Sequence, residues 1–293
     1  MIKHDTLNLI KNEIGIPDLD IQSLGGMTNS NYLISTILED KYVVRIPGEM
    51  THSMISRKNE KLNSLLMSEH GFNVDTTYFN ENTGIKITKF LENSISLNHH
   101  NINNKNHLEI IAKKLYKLHN SKLKFNNEFN TSSTFNNYLK LLKDPNNFYK
   151  FNKNVEEICY FFNKVCCYLD QKYERKSPCH NDLVPENILI RKNTPFFIDW
   201  EYSGMNHPLF DISAFFLESN LSQENQKFFL QVYDEKIDLH KTQKDILYFQ
   251  FSQDVLWFLW TIIKQENNEF FNNYAANRIN RAYKFLKTIK REL

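Results

Sequence analysis

The stretch "HNDLVPEN", residues 180–187, carries a carboxylate at Asp182 and an amide at Asn187, and a second carboxylate, Asp199, follows in "FFIDW". Hard oxygen groups of this kind suit phosphoryl transfer from ATP. One carboxylate orients and deprotonates an attacking hydroxyl, and the other oxygens hold Mg²⁺ on the phosphates. Asp182 fits the first task, Asn187 and Asp199 the second, and His180 reads as a scaffold residue bonded to the loop backbone. The pattern His-x-Asp-x-x-x-x-Asn is short enough to arise by chance. Its weight comes from its place ahead of two apolar runs, Ile188 to Ile190 and Pro195 to Ile198. These read as strand, turn and strand, which puts the polar groups at strand ends.

The elements that must hold this loop divide the chain in two. Up to about residue 92, short β-type runs ("DIQSL", "NYLIST", "KYVVRI", "VDTTYF", "GIKITKF") surround one helical stretch, "SMISRKNEKLNSLLMSEHG", closed by Gly71. After "LENSISLNHH" long helical patterns take over: Leu108 to His119, Phe135 to Leu142, Val155 to Tyr173, Ile212 to Glu218, Asn225 to Tyr233, Thr242 to Lys264 and Ala275 to Ile289. The expected class is α+β, with a small β-rich lobe over residues 1–92 and a larger, mainly helical lobe over 93–293.

Composition narrows the function classes. The 293 residues are 41% hydrophobic and 14% aromatic, enough for a sizeable core, and 36 basic against 34 acidic residues leave a formal charge of +2. The basic terminal segment, Arg278 to Arg291, reads as a solvated helix face, so no nucleic-acid partner is expected. Cys159, Cys166, Cys167 and Cys179 form no Cys-x-x-Cys pair and read as reduced thiols in a cytoplasm. "MIKHDTLNLIKNEIG" has the pattern of an amphipathic helix without the apolar centre of a signal peptide. The longest uncharged apolar run, Val255 to Ile263, is well short of the roughly 20 residues of a membrane span. The reading is of a cytoplasmic chain with no membrane insertion.

"CHNDLVPENILIRKNTPFFIDW" resembles the catalytic core of the aminoglycoside-phosphotransferase and choline-kinase superfamily, relatives of protein kinases. "FIDWEYSGMNHPLFDISAFFLE" is similar to choline kinases specifically. The resemblance implies a bilobal protein-kinase-like fold, with Asp182 as catalytic base, Asn187 and Asp199 as Mg²⁺ ligands, and Asp211 as a buttress of the catalytic loop. It also implies that "GGMTNSNYL" is the nucleotide-phosphate loop. Read on its own that segment is a fair candidate: Gly26 permits close backbone approach, and Thr28, Asn29, Ser30 and Asn31 supply donors, although a plain β-turn has the same composition.

Protein kinases place a lysine where this chain has Arg45, and choline kinases resembling it carry arginine. A guanidinium binds phosphate bidentately, so the role survives, with Lys41 held in reserve. Glu60 is the expected partner of Arg45, and "ITKFLEN" the adenine-facing segment with Ile87 and Phe90 as apolar walls.

Trp257 and Trp260 share a helix face, and the resemblance gathers them with Tyr202 and Tyr274 around a substrate ammonium, with Glu218 and Asp182 supplying negative charge. A trimethylammonium group has no N–H to donate and is recognised by aromatic faces. The expected reaction is ATP- and Mg²⁺-dependent phosphorylation of choline to phosphocholine. Ethanolamine, whose N–H groups want acceptors, is the alternative acceptor, followed by an aminoglycoside, and a kinase-like binding module without turnover is the alternative outside enzymes. Asp254 is left open between helix charge and pocket rim, and His119 reads as a packing residue.

Overall fold

A computed structural model describes residues 4–15, 19–48, 50–174 and 176–291. The chain forms two compact units, Met1–Ile95 with Leu189–Glu201, and Ser96–Ile188 with Tyr202–Leu293.

The N-terminal unit is built on a five-stranded antiparallel sheet in the order β1-β2-β3-β5-β4. Its strands are β1 (Leu19–Gly25), β2 (Ser30–Thr36), β3 (Lys41–Ile46), β4 (Thr76–Phe79) and β5 (Lys86–Lys89). Alternation along β3 sends Val44 to one face and Arg45 to the other. Helix α1 (His4–Ile14) places Ile10 against Ile34, Val44, Ile85 and Ile87, the apolar cluster of this unit. Residues 1–3 of the amphipathic segment lie outside the described residues. Burying a side chain such as Ile10 is worth about 1.5–3 kcal/mol.

The single helix expected over "SMISRKNEKLNSLLMSEHG" is two, α2 (Thr51–Met54) and α3 (Arg57–Glu69). Ser56 separates them because its hydroxyl accepts the Asn59 N–H at 3.4 Å and so acts as an N-cap. Gly71 follows α3 at φ 68°, as the sequence anticipates.

The C-terminal unit surrounds α10 (Leu239–Glu266) with α5 (Thr131–Leu139), α7 (Val155–Lys172), α8 (Pro208–Ser219) and α11 (Tyr274–Ile289). Helix α4 (Lys105–His119) packs with α9 (Gln223–Tyr233), and α6 (Pro145–Tyr149) is a short helix begun at Pro145 with Asp144 as its cap. At 28 residues α10 is long and apolar enough to cross a membrane, longer than the apolar run within it suggests, but it is buried along most of its length. All four cysteines are free thiols.

Strands β7 (Ser177–Cys179) and β10 (Gly204–Asn206) pair antiparallel and frame the "HNDLVPEN" loop. That loop ends in a 3₁₀ turn, Pro185–Asn187, and runs into β8 (Ile188–Arg191) and β9 (Thr194–Phe197), with β6 (Ile95–Ser96) beside β8. The Phe197 N–H donates to the Phe72 carbonyl at 2.8 Å, so the segment after Ile188 packs with the N-terminal unit. The sequence boundary at residue 92 had grouped it with the helical part.

Candidate active site

In the N-terminal unit the register of β2, β3 and β5 sets Asn31, Arg45 and Lys86 side by side, since Arg45 lies opposite both others. Arg45 is buried and its guanidinium forms a bidentate ion pair with Glu60 of α3, one arm at 3.0 Å. The same guanidinium donates to Asp199 Oδ1 at 3.1 Å and to the Gly84 carbonyl at 2.9 Å. Glu60 also pairs with Arg57 at 2.6 Å and Lys86 at 3.4 Å. Glu201 accepts from Arg57 at 3.1 Å and from the Asn29 amide at 3.3 Å.

The cluster therefore balances three cations against three carboxylates, which is what makes their burial tolerable. Burial raises the Glu60 carboxyl, but Arg45, Lys86 and Arg57 outweigh it and hold Glu60 at about 2. For Lys86 burial and the neighbouring Arg45 win, and its pKa falls below the ordinary value. Burial and then Asp199 push Glu201 up to about 7.

The turn from Gly25 to Asn31 is held by its own side chains. The Asn31 amide donates to the Gly25 carbonyl at 3.1 Å, and a Cβ on Gly26 (φ 147°) would lie 2.0 Å from the Asn29 carbonyl oxygen. The buried Oδ1 of Asn29 receives no hydrogen bond from the described residues. Thr28 is half-buried and Ser30 exposed.

In the C-terminal unit Asp211 of α8 is the hub of the "HNDLVPEN" loop. It is fully buried and accepts the backbone N–H groups of His180 (2.8 Å) and Asn181 (2.7 Å) and the His119 Nε2 (3.0 Å). His180 Nδ1 in turn accepts the Asp182 N–H at 3.3 Å. Asn181 stands at φ 65°, a conformation asparagine tolerates better than most residues, and its amide donates to the Tyr202 carbonyl at 3.0 Å. Asn187 donates from Nδ2 to the Asp182 carbonyl at 2.9 Å, which turns its Oδ1 outward from that bond.

The same unit assembles an aromatic cluster from Tyr202, α10 and the start of α11. The Trp257 ring meets Tyr202 edge to face at 5.0 Å between centroids and Trp260 at 6.3 Å, and Trp260 meets Tyr274 at 6.5 Å. Phe271 stacks on Trp260 at 5.3 Å. Burial raises the Tyr274 phenol; Arg278 opposes this, while the Glu218 and Asp182 carboxylates add to the rise. Asp182 thus lies within electrostatic reach of the cluster.

Several sequence expectations change. Ile87, read as an adenine wall, is only 1% exposed because α1 and its neighbours enclose it in the apolar cluster, whereas Phe90 remains half-buried at the end of β5. Lys41, the reserve cation, pairs instead with Glu92 at 2.8 Å, and Lys86 takes the place beside Glu60. His119 is not mere packing, since it joins Asp211 to the Tyr233 hydroxyl, 2.9 Å from its Nδ1. Asp254 is fully buried and paired with Arg278 and Arg281, so Arg278 is buried and Arg281 only partly exposed instead of forming a solvated face. Glu218 is held by the same arginines.

Sequence reading missed Arg57, Lys86, Glu201, Asn181 and Arg278. The i to i+3 spacing of Arg57 and Glu60, and the i to i+4 spacing of Tyr274 and Arg278, were the available signals.

Known proteins resemble this chain over most of its length. Protein LicA of Haemophilus influenzae is 38% identical over 92% of this chain and 81% of its own length. The crystal structure of the choline kinase LicA from Streptococcus pneumoniae superposes with a TM-score of 0.86 at 31% identity, covering 97% of this chain and 99% of that one. A LicA structure in complex with AMP gives 0.84 at 31% identity over 98% and 99% of the two chains. The fold is accordingly protein-kinase-like, with a β-sheet N-terminal part and a helical C-terminal part. The choline/ethanolamine kinase profile matches residues 21–283, and the chain belongs to that family.

Proposed function

We propose that the protein transfers the γ-phosphoryl group of ATP to the hydroxyl of choline, giving phosphocholine and ADP, in the cytoplasm. The observation that carries this reading is the aromatic cluster of Tyr202, Trp257, Trp260 and Tyr274 within electrostatic reach of Asp182. Aromatic faces attract a quaternary ammonium that offers no hydrogen-bond donor. Asp182 adds negative charge around it, while Glu218 is paired with Arg278 and Arg281.

In the proposed reaction Asp182 accepts the hydroxyl proton as the choline oxygen bonds to the γ-phosphorus. The bond from that phosphorus to the β–γ bridging oxygen breaks, and ADP leaves. Arg45, fixed by Glu60, brings positive charge to the phosphates, with Lys86 beside it. The Gly26–Asn31 turn, with Thr28, Asn29 and Ser30, presents donors to them, and Phe90 offers an apolar surface to adenine.

The donor set fits a hard divalent cation. The amide oxygen of Asn187 lies opposite a committed Nδ2, and the Asp199 side chain is 30% exposed with Oδ1 bonded to Arg45. Asn187 and Asp199 would hold Mg²⁺, which when bound neutralises phosphate charge. His180 and Asp211 position Asp182 through the loop backbone.

The test is Mg-ATP turnover by coupled ADP release, with choline, ethanolamine and an aminoglycoside as separate acceptors. The expected result is a strong preference for choline in kcat/KM. Preference for either other acceptor overturns the choline assignment.

A further inference from the structure

Glu218, a carboxylate that acts on Tyr274 of the aromatic cluster, is already occupied. Glu218 receives two N–H bonds from Arg278, at 2.5 and 3.0 Å, and a third from Arg281 at 3.3 Å. A carboxylate offers about four acceptor positions, so little of its capacity remains for a ligand. Arg278 is 4% exposed, its guanidinium lies 4.5 Å above the Tyr274 ring, and it also donates to the Tyr274 hydroxyl and, at 3.0 Å, to Asp254. Arg281 completes the set with bonds of 2.7 and 2.6 Å to the two Asp254 oxygens.

Two carboxylates are thus matched by two guanidinium groups, and one face of Tyr274 is taken by a cation of the protein itself. What this cluster offers a ligand's positive charge is the remaining aromatic surface. Aromatic faces serve a quaternary ammonium as well as a primary one, but they satisfy few N–H donors. A primary ammonium entering here leaves its hydration shell with fewer replacement acceptors, because Glu218 is committed to Arg278 and Arg281.

We propose that Arg278 is a specificity-determining residue: by occupying Glu218 and one face of Tyr274 it tunes the acceptor site to a quaternary monocation and against primary ammonium alcohols. This rests on the choline reading above. Specificity here comes from withholding acceptors from the wrong substrate as much as from contacts to the right one.

The experiment compares kcat/KM for choline and ethanolamine, with the ATP KM as control, in the wild type, Arg278→Met, Glu218→Gln and the double variant. In Arg278→Met the choline-to-ethanolamine ratio falls by about tenfold or more, driven by a rise for ethanolamine as Glu218 becomes available. The ATP KM stays within about twofold. Glu218→Gln alone leaves the ratio within about twofold, and the double variant shows no ethanolamine gain.

Arg281 still pairs Asp254 when Arg278 is replaced, which favours a folded variant. If Arg278→Met does not fold, Glu218→Gln decides: a tenfold loss confined to ethanolamine would show that Glu218 already serves substrate N–H groups, and the proposal falls. An unchanged ratio in folded Arg278→Met also overturns it. A wild type that prefers another acceptor over choline overturns the choline reading and this proposal together, whereas choline preference with an unmoved ratio overturns this proposal alone.

Discussion

The indole N–H of Trp260 donates to the phenolic oxygen of Tyr202 at 3.0 Å. Trp260 lies on α10 and Tyr202 two residues before β10, so one hydrogen bond fixes the aromatic cluster to the strand pair that frames the "HNDLVPEN" loop. Preorganised aromatic walls lose little freedom when a ligand arrives.

Trp257 is the member of the cluster with ring contacts to both Tyr202 and Trp260. Replacing it with alanine is expected to cost about 1–2 kcal/mol of ammonium recognition, a rise of roughly 5- to 30-fold in choline KM. The ATP KM should change little. Steady-state kinetics with each substrate varied in turn checks this, and equal effects on both would remove the ammonium assignment.

Gly26 tests the other substrate. A Cβ there collides with the Asn29 carbonyl, so Gly26→Ala must reshape the turn. The expected outcome is a rise of about tenfold in ATP KM with choline KM nearly unchanged. An unaltered ATP KM would mean that the turn does not contact phosphate.

Glu60 holds Arg45 inside a buried charge cluster, and removing it leaves Arg45, Arg57 and Lys86 with fewer carboxylates than charges. Glu60→Ala is expected to destabilise the fold by about 3–5 kcal/mol, measurable by urea unfolding at neutral pH. The Glu60 carboxyl is held at about 2 in the folded chain against an ordinary 4.5. Its contribution is therefore complete above about pH 4.5 and is lost as pH falls toward 2.

His207 supplies a second pH dependence. Its ring stacks on Tyr173 at 3.7 Å, and its Nδ1 accepts the Leu209 N–H at 3.2 Å as the cap of α8. Burial first, then the neighbouring His119, lowers its pKa to about 4 from 6.5. The unfolded chain binds this proton where the folded chain does not, so stability declines as pH falls from about 6.5 to 4, by up to about 3 kcal/mol. His207→Asn should flatten that part of the urea-unfolding profile, and an unchanged slope would contradict the assignment.

Much of this was legible in the sequence because it rests on local pattern. The five strands of the N-terminal sheet and the seven long helices follow from apolar periodicity, and Asp182, Asn187 and Asp199 from one loop and hairpin. What was not legible depends on pairing between distant positions. Lys86 and Lys41 look equivalent as strand lysines, and only the register opposite Arg45 separates them. The run after "THSM" breaks at Ser56 through a single cap, a signal weaker than the helical pattern around it. Arg278 sits in a basic helix that reads as solvated, and its burial follows from Asp254 and Glu218, on α10 and α8.

The most direct measurement is product formation from Mg-ATP and choline, followed by phosphorus NMR, for the wild type and for Asp182→Asn. The account predicts phosphocholine and ADP in equal amounts from the wild type, and a loss of about a thousandfold in Asp182→Asn with ATP binding retained. Absence of phosphocholine from the wild type, or appreciable turnover by Asp182→Asn, would contradict it.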